Sequence, residues 1–185
     1  MKLTIYLIRH AQSAFNAVFD PDKPDPMIFD APITALGETQ AKQARTEVSQ
    51  LDIQNIIVSP LTRALQTACL MFGDKIQFQI NSLVRERLCH SCDVGTPPQE
   101  LAKVFPHLDF DHLDDCWWHE GENAHRGISV EPQEVLQKRA DEFARYLKRE
   151  RIHSTAIVTH GRFIRALTGC RINNCEMLKF ETHQS

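Results

Sequence analysis

The sequence predicts an α/β protein, a three-layer sandwich in which a mostly parallel sheet is covered by helices on both faces. Short apolar runs rich in strand formers alternate with segments of helical period, the pattern that builds parallel sheets from crossover units. Two of the apolar runs end in histidine, at Arg9-His10 and at His160, and a third ends in Ser59-Pro60. Sheets of this kind carry their chemistry at the carboxyl ends of the strands, so these endings are expected to meet at one edge.

The strands are expected at Leu3 to Ile8, Asn55 to Val58, Ile76 to Ile80 and Thr155 to Val158. Thr34 can cap a helix from about Ala35 to Gln50, whose inward face would be Leu36, Ala41, Ala44, Val48 and Leu51. Ser59-Pro60 offers an N-cap and a proline at the first helical position, leading into a helix that reaches Phe72 and stops at Gly73. Another helix begins near Glu131-Pro132, with Leu136, Ala140, Phe143 and Leu147 at helical spacing, and the last runs from after His160 to Gly169. Asp20 to Pro26 alternates proline with charge and reads as a stiff polar loop. From about Cys89 to Val130 the chain turns rich in Pro, His, Asp and Trp, with a short helix only over Thr96 to Phe105. That stretch is expected to be a lid or specificity insert within a single domain spanning residues 1–185.

A chain of 185 residues with 42% hydrophobic content can bury roughly 70% of its unfolded surface without help from a metal or disulfide. The net charge of −3 is spread along the chain with no lysine- or arginine-rich block, which argues against nucleic-acid binding. No apolar run approaches the ~18 residues of a membrane span. Lys2 leads straight into strand pattern rather than into a signal segment. The expectation is a soluble, unexported, cytoplasmic protein whose six cysteines are reduced thiols.

A histidine that attacks phosphorus must be neutral and oriented, and an adjacent arginine both disfavours the imidazolium and grips phosphoryl oxygens. Arg9-His10 has that composition. Arg63 adds to it, because it falls in the first turn of its helix, where free N–H groups and the dipole favour an anion and a cation is otherwise misplaced.

With these residues in view, the chain resembles the histidine phosphatase superfamily, in its phosphoglycerate-mutase-like branch. The family's Arg-His-Gly-Glu-x-x-x-Asn signature matches at Arg9, His10 and Asn16, with Ala11 in place of glycine and Gln12 in place of glutamate. Its Leu-Thr-x-x-Gly segment is similar to Ile33 to Gly37, its Ser-x-x-x-Arg-x-x-x-Thr helix start matches Ser59, Arg63 and Thr67, and its second His-Gly matches His160-Gly161. The likeness extends over most of the chain and is weakest between Cys89 and Val130. It implies a phosphohistidine on His10, with Arg9, Arg63 and His160 holding the phosphoryl oxygens and Asn16 and Ser13 adding hydrogen bonds. It also implies a proton donor in a Leu-x-Glu segment, matched by Leu83 to Arg87, which makes Glu86 the candidate general acid. No metal or other cofactor is expected, since arginines supply the charge neutralisation.

Several residues keep two readings. Glu86 between Arg85 and Arg87 also fits an exposed charge cluster, and flanking arginines should lower its pKa, the wrong direction for an acid unless burial or the substrate's phosphate opposes them. Cys89-x-x-Cys92 and Cys116-x-x-His119, with His90, His107 and His112 nearby, have spacing close to a structural zinc site. Trp117-Trp118 is a packing anchor or a wall of the substrate pocket. Arg85, Arg87, Arg126 and Arg162 are each available to recognise a second anionic group. The expected activity is hydrolysis of small phosphorylated metabolites, the alternatives being mutase-type phosphotransfer, action on phosphoproteins, and a non-catalytic phosphate-binding module. Substrate identity and oligomeric state stay open.

Overall fold

The computed structural model describes residues 3–73, 77–121, 124–125, 128–150 and 152–182. Its core is a sheet of five strands: β1 (Leu3–Arg9), β2 (Asn55–Val58), β3 (Phe78–Ile80), β6 (Thr155–Thr159) and β7 (Met177–Thr182), in the order β3-β2-β6-β1-β7. The first four are mutually parallel, and β7 pairs antiparallel with β1. No strand was expected over 177–182. Its side chains face two ways without a strong apolar alternation, so pairing with the edge of β1 settles its conformation. Ile76, the expected start of β3, lies outside the described residues.

Strand residues alternate between two faces, and each face packs under its own helices. Ile8, Ile56, Val58, Ala156 and Val158 join a core with Ala41 and Val48 of α2 (Ala35–Val48) and with Ala64, Leu65 and Ala68 of α3 (Thr62–Phe72). Ile5, Leu7, Ile57 and Ile157 join the opposite core with Leu136, Ala140, Phe143 and Leu147 of α5 (Gln133–Arg149) and Phe163 and Ile164 of α6 (Gly161–Thr168). The three-layer sandwich with helices on both faces is therefore the observed fold.

Two local expectations change. Leu36 is 53% exposed rather than inward. The buried line of α2 is Gly37, Ala41 and Val48, because Gly37 lies against the loop after β1: a Cβ there would sit 2.3 Å from the Gln12 carbonyl oxygen. That contact sets the rotation of the helix. The N-cap of α3 is Leu61, which makes no side-chain cap, rather than Ser59. Capping comes from a distance, since Asp30 accepts from the Thr62 amide at 2.8 Å and from the Thr62 and Thr96 hydroxyls at 2.7 Å each. The stops at Gly73 and Gly169 are as expected, both in the positive-φ conformations that glycine tolerates.

A short helix not expected from sequence, α1 (Ala14–Val18), follows the β1 loop. The segment after β3 carries α4 (Pro98–Val104) and a hairpin of β4 (Ala124–His125) and β5 (Ile128–Ser129). Among the described residues no helix is long and apolar enough to cross a membrane.

Candidate active site

Backbone pairing delivers the predicted residues to one edge. The His10 amide donates to the Thr159 carbonyl at 2.9 Å and the Ser59 amide to the Val158 carbonyl at 3.1 Å, so β1, β2 and β6 end side by side. The His10 and His160 rings lie 5.1 Å apart between centroids. Around them opens a cleft of about 450 Å³, lined among others by Arg9, His10, Asn16, Arg63 and Glu86.

A hydrogen bond to a backbone carbonyl assigns the tautomer of His10. His10 Nδ1 donates to the Ala11 carbonyl at 2.7 Å, leaving the lone pair on Nε2, which receives Arg63 Nε at 3.3 Å. Ser59 Oγ accepts from the Leu61 amide and lies 2.7 Å from His160 Nε2. Ser59 Oγ keeps both its proton and a second lone pair for Nε2, so this contact is compatible with either tautomer of His160. Among the described residues His160 Nδ1 is buried with no hydrogen-bond partner, as is Arg9 Nε. Buried unpaired polar atoms are costly in a closed interior; beside a cleft they are suited to an anion. Burial first, and then the charge of Arg63, push both imidazoles well below 6.5, so they are neutral at ordinary pH.

Arg63 is completely enclosed. It donates to Asp93 Oδ1 at 2.9 Å and to the Cys92 carbonyl at 2.5 Å; burial alone would lower its pKa, but the acidic neighbours together, Asp93 foremost, raise it and keep the guanidinium charged. Thr67 Oγ1, one turn along, donates to the Arg63 carbonyl at 2.6 Å and accepts from the Ala11 amide at 3.0 Å. Ser59, Arg63 and Thr67 thus form one strut under the loop that carries His10.

The flanking arginines do not act on Glu86 as the sequence suggested. Arg85 Nη2 reaches Glu131 Oε1 at 3.4 Å, Arg87 Nε donates to the Glu131 carbonyl at 2.7 Å, and Arg139 holds Glu131 Oε2 at 2.7 Å. Glu131, fully buried, therefore gathers these charges away from the cleft. The Glu86 carboxylate instead accepts from the amides of Arg87 at 2.8 Å, Arg162 at 3.1 Å and Phe163 at 3.2 Å. Burial and then the neighbouring Asp93 outweigh these amides and raise its pKa. Burial is thus the opposing influence that Glu86 needs if it is to act as an acid between two arginines.

Of the remaining candidates, Asn16 lines the cleft, whereas Ser13 does not. The two form a reciprocal cap on α1: Asn16 Oδ1 accepts from the Ser13 amide and Ser13 Oγ from the Asn16 amide, each at 3.2 Å. Trp117 is buried, donates Nε1 to the Thr96 carbonyl at 2.9 Å and packs with Trp118 against Gly95, away from the cleft. Cys92 lies beside Asp93 whereas Cys116 lines a separate groove, and among the described residues no three His, Cys, Asp or Glu side chains are grouped as metal ligands. Arg126 lies outside the described residues. Asp93 and Glu131 have no site role at the level of sequence, and Ser59, expected as a helix cap, contacts His160 instead. Asp93 falls in the irregular segment without a local pattern, and Glu131 served there only to mark a helix start.

Comparison with known proteins agrees with this geometry. A phosphoglycerate mutase-like protein 1 of Arabidopsis thaliana is 28% identical over 209 residues, covering 93% of this chain and 73% of the relative. Among solved structures, a mycobacterial glucosyl-3-phosphoglycerate phosphatase superposes with a TM-score of 0.64 at 16% identity, covering 99% of this chain and 92% of its own. The phosphoserine phosphatase of Entamoeba histolytica superposes at 0.60 with 18% identity, covering 96% and 89%. At such identities these structures share the fold. The sequence profile of the histidine phosphatase superfamily (branch 1) matches residues 5–184, and it is to this superfamily that the chain, with its two facing imidazoles, belongs.

Proposed function

We propose that the protein is a metal-independent phosphatase that hydrolyses phosphate monoesters of small metabolites through a phosphohistidine. One observation supports the reading: His10 Nε2 presents its lone pair beside Arg63 in a cleft also lined by Arg9, with the buried His160 ring 5.1 Å behind that of His10. In the first half-reaction Nε2 forms a bond to phosphorus as the P–O ester bond breaks, and Glu86 gives its proton to the leaving oxygen. In the second, water attacks the phosphohistidine, Glu86 takes the water proton, the P–N bond breaks and phosphate departs. Arg9, Arg63 and His160 hold the equatorial oxygens, and Asn16 adds a hydrogen bond. Each such preorganised donor contributes about 3–4 kcal/mol to the barrier reduction. The segment 89–130 acts as a specificity insert, bringing Asp93 to Arg63 and His90 to the wall of the cleft.

The test is phosphate release from a panel of phosphorylated metabolites in the presence of EDTA, with His10→Ala in parallel and acid-labile phosphoenzyme trapped from both. Release and trapped phosphohistidine that survive EDTA and vanish in the variant are expected. A phosphoenzyme that returns its phosphoryl group to a bound sugar acid rather than to water would make the protein a mutase. Neither release nor phosphoenzyme from any compound would overturn the catalytic reading.

A further inference from the structure

The cleft carries more positive charge than one phosphoryl group requires. Arg9 and Arg63 flank His10, and Arg162, Arg165 and Arg171 line the same cleft beyond them. The acids on its wall are Glu86 and Asp93; Asp93 is already paired with Arg63, and burial favours the protonated form of Glu86. A phosphate dianion balances roughly two of the five cations, and gathering like charges in one concavity is unfavourable unless an anion resides there. Arg162 and Arg165 are one turn apart on α6, so they share a face, and Arg171 follows the helix. The side chains of Arg165 and Arg171 form no ion pair or hydrogen bond among the described residues. Arg162 rests its Nη1 on the Cys89 sulfur, which leaves its other N–H groups open.

The rest of the cleft wall has a different chemistry. Phe15 and Phe19 stack at 5.1 Å, and His90 meets Phe19 edge-on at 4.8 Å. Phe19 remains 39% exposed. Such a surface accepts a flat apolar group. Arg85 and Arg87 are withdrawn to Glu131, so this recognition falls to α6 and the residues that follow it.

We propose that the substrate is a phosphomonoester whose leaving group has an aromatic or similarly flat face, set against Phe19 and His90 above the buried Phe15, and a second anionic group bound by Arg162, Arg165 and Arg171. This rests on the phosphatase reading for its turnover arm, but not for its binding arm. Phenyl phosphate, 4-carboxyphenyl phosphate, benzene-1,4-diyl bisphosphate and 3-carboxypropyl phosphate separate the requirements. Dissociation constants are measured calorimetrically on His10→Ala, where no turnover is needed, and kcat/KM on the unsubstituted protein.

The carboxylated and bisphosphorylated aryl esters are expected to bind about ten- to a hundredfold more tightly than phenyl phosphate, the range of one charge-assisted hydrogen bond. The alkyl carboxylate should be weaker than its aryl counterpart. In Arg165→Gln/Arg171→Gln, two exposed positions that the fold does not depend on, the preference for the second anion should collapse, with the change carried by KM. Preference for one of the two anionic aryl esters identifies that group as carboxylate or phosphate. Equal affinity for phenyl and 4-carboxyphenyl phosphate, or a preference that survives the double substitution, would overturn the proposal. Binding discrimination without hydrolysis would keep it and overturn the catalytic reading instead.

Discussion

Glu86 illustrates how a residue's chemistry is set by what folds around it. In an extended chain Arg85 and Arg87 favour its anion; in the fold both are drawn to Glu131, and burial beside Asp93 favours the acid. A carboxyl that keeps its proton above its ordinary range can donate to a poor leaving group. Glu86→Gln is therefore expected to slow hydrolysis of an alkyl phosphate by about 10²–10⁴-fold, the usual contribution of a general acid. It should slow p-nitrophenyl phosphate, whose leaving group needs little protonation, far less. Steady-state kcat/KM for both esters checks this, and equal losses would remove Glu86 from proton transfer. The Arg162 amide donates to Oε2 and the Phe163 amide to Oε1, so glutamine, with one carbonyl oxygen, keeps an acceptor for only one of them and the start of α6 keeps part of its cap.

At the scale of elements, three helix starts are stabilised from elsewhere in the chain or sheet. Asp30 caps α3, Glu86 caps α6, and Gly37 docks the first turn of α2 on Gln12, whose carbonyl also accepts from the Thr34 amide at 2.9 Å. Gln12 follows His10 by two residues, so α2 holds the loop that carries His10. Gly37→Ala would drive a Cβ into that carbonyl, and overpacking of this kind costs about 1–3 kcal/mol. The expected outcome is a lowered urea midpoint together with a lower kcat, since the displaced loop carries His10. A variant with unchanged stability and activity would show that the contact opens freely. The local cap at Thr34 was legible in sequence, because its hydroxyl accepts from the Gly37 amide within its own turn. Asp30 was not, because its partner lies 32 residues away.

Over the whole molecule, the site imposes a pH-dependent cost. His10 and His160 are buried and neutral, their pKa values held well below 6.5 first by burial and then by Arg63. Below about pH 6.5 the unfolded chain therefore binds more protons than the native one, and this contribution to stability is lost as pH falls toward the folded values. Glu86 acts in the opposite sense, since its raised pKa makes the folded state the better proton binder above 4.5. Replacing one imidazole isolates its share. In His10→Asn the slope of unfolding free energy against pH, between about 5 and 6.5, should become less positive than in the parent. Urea titrations across that range provide the measurement, and an unchanged slope would mean that His10 is not held neutral.

The alternation of apolar strands with helix-period segments dictates the sandwich, and the Arg9-His10, Ser59, Arg63 and His160 spacing dictates which residues meet. Both follow from local periodicity and from the rule that parallel strands end at one edge. The partners of those residues were decided only by tertiary contact. Asp93 on Arg63, Ser59 on His160, Glu131 drawing Arg85 and Arg87 away from Glu86, and the cleft-lining arginines after β6 all depend on charges and hydroxyls brought together across long stretches of chain. Periodicity records which face a side chain takes, whereas an electrostatic environment depends on distance in space, which the order of residues does not contain.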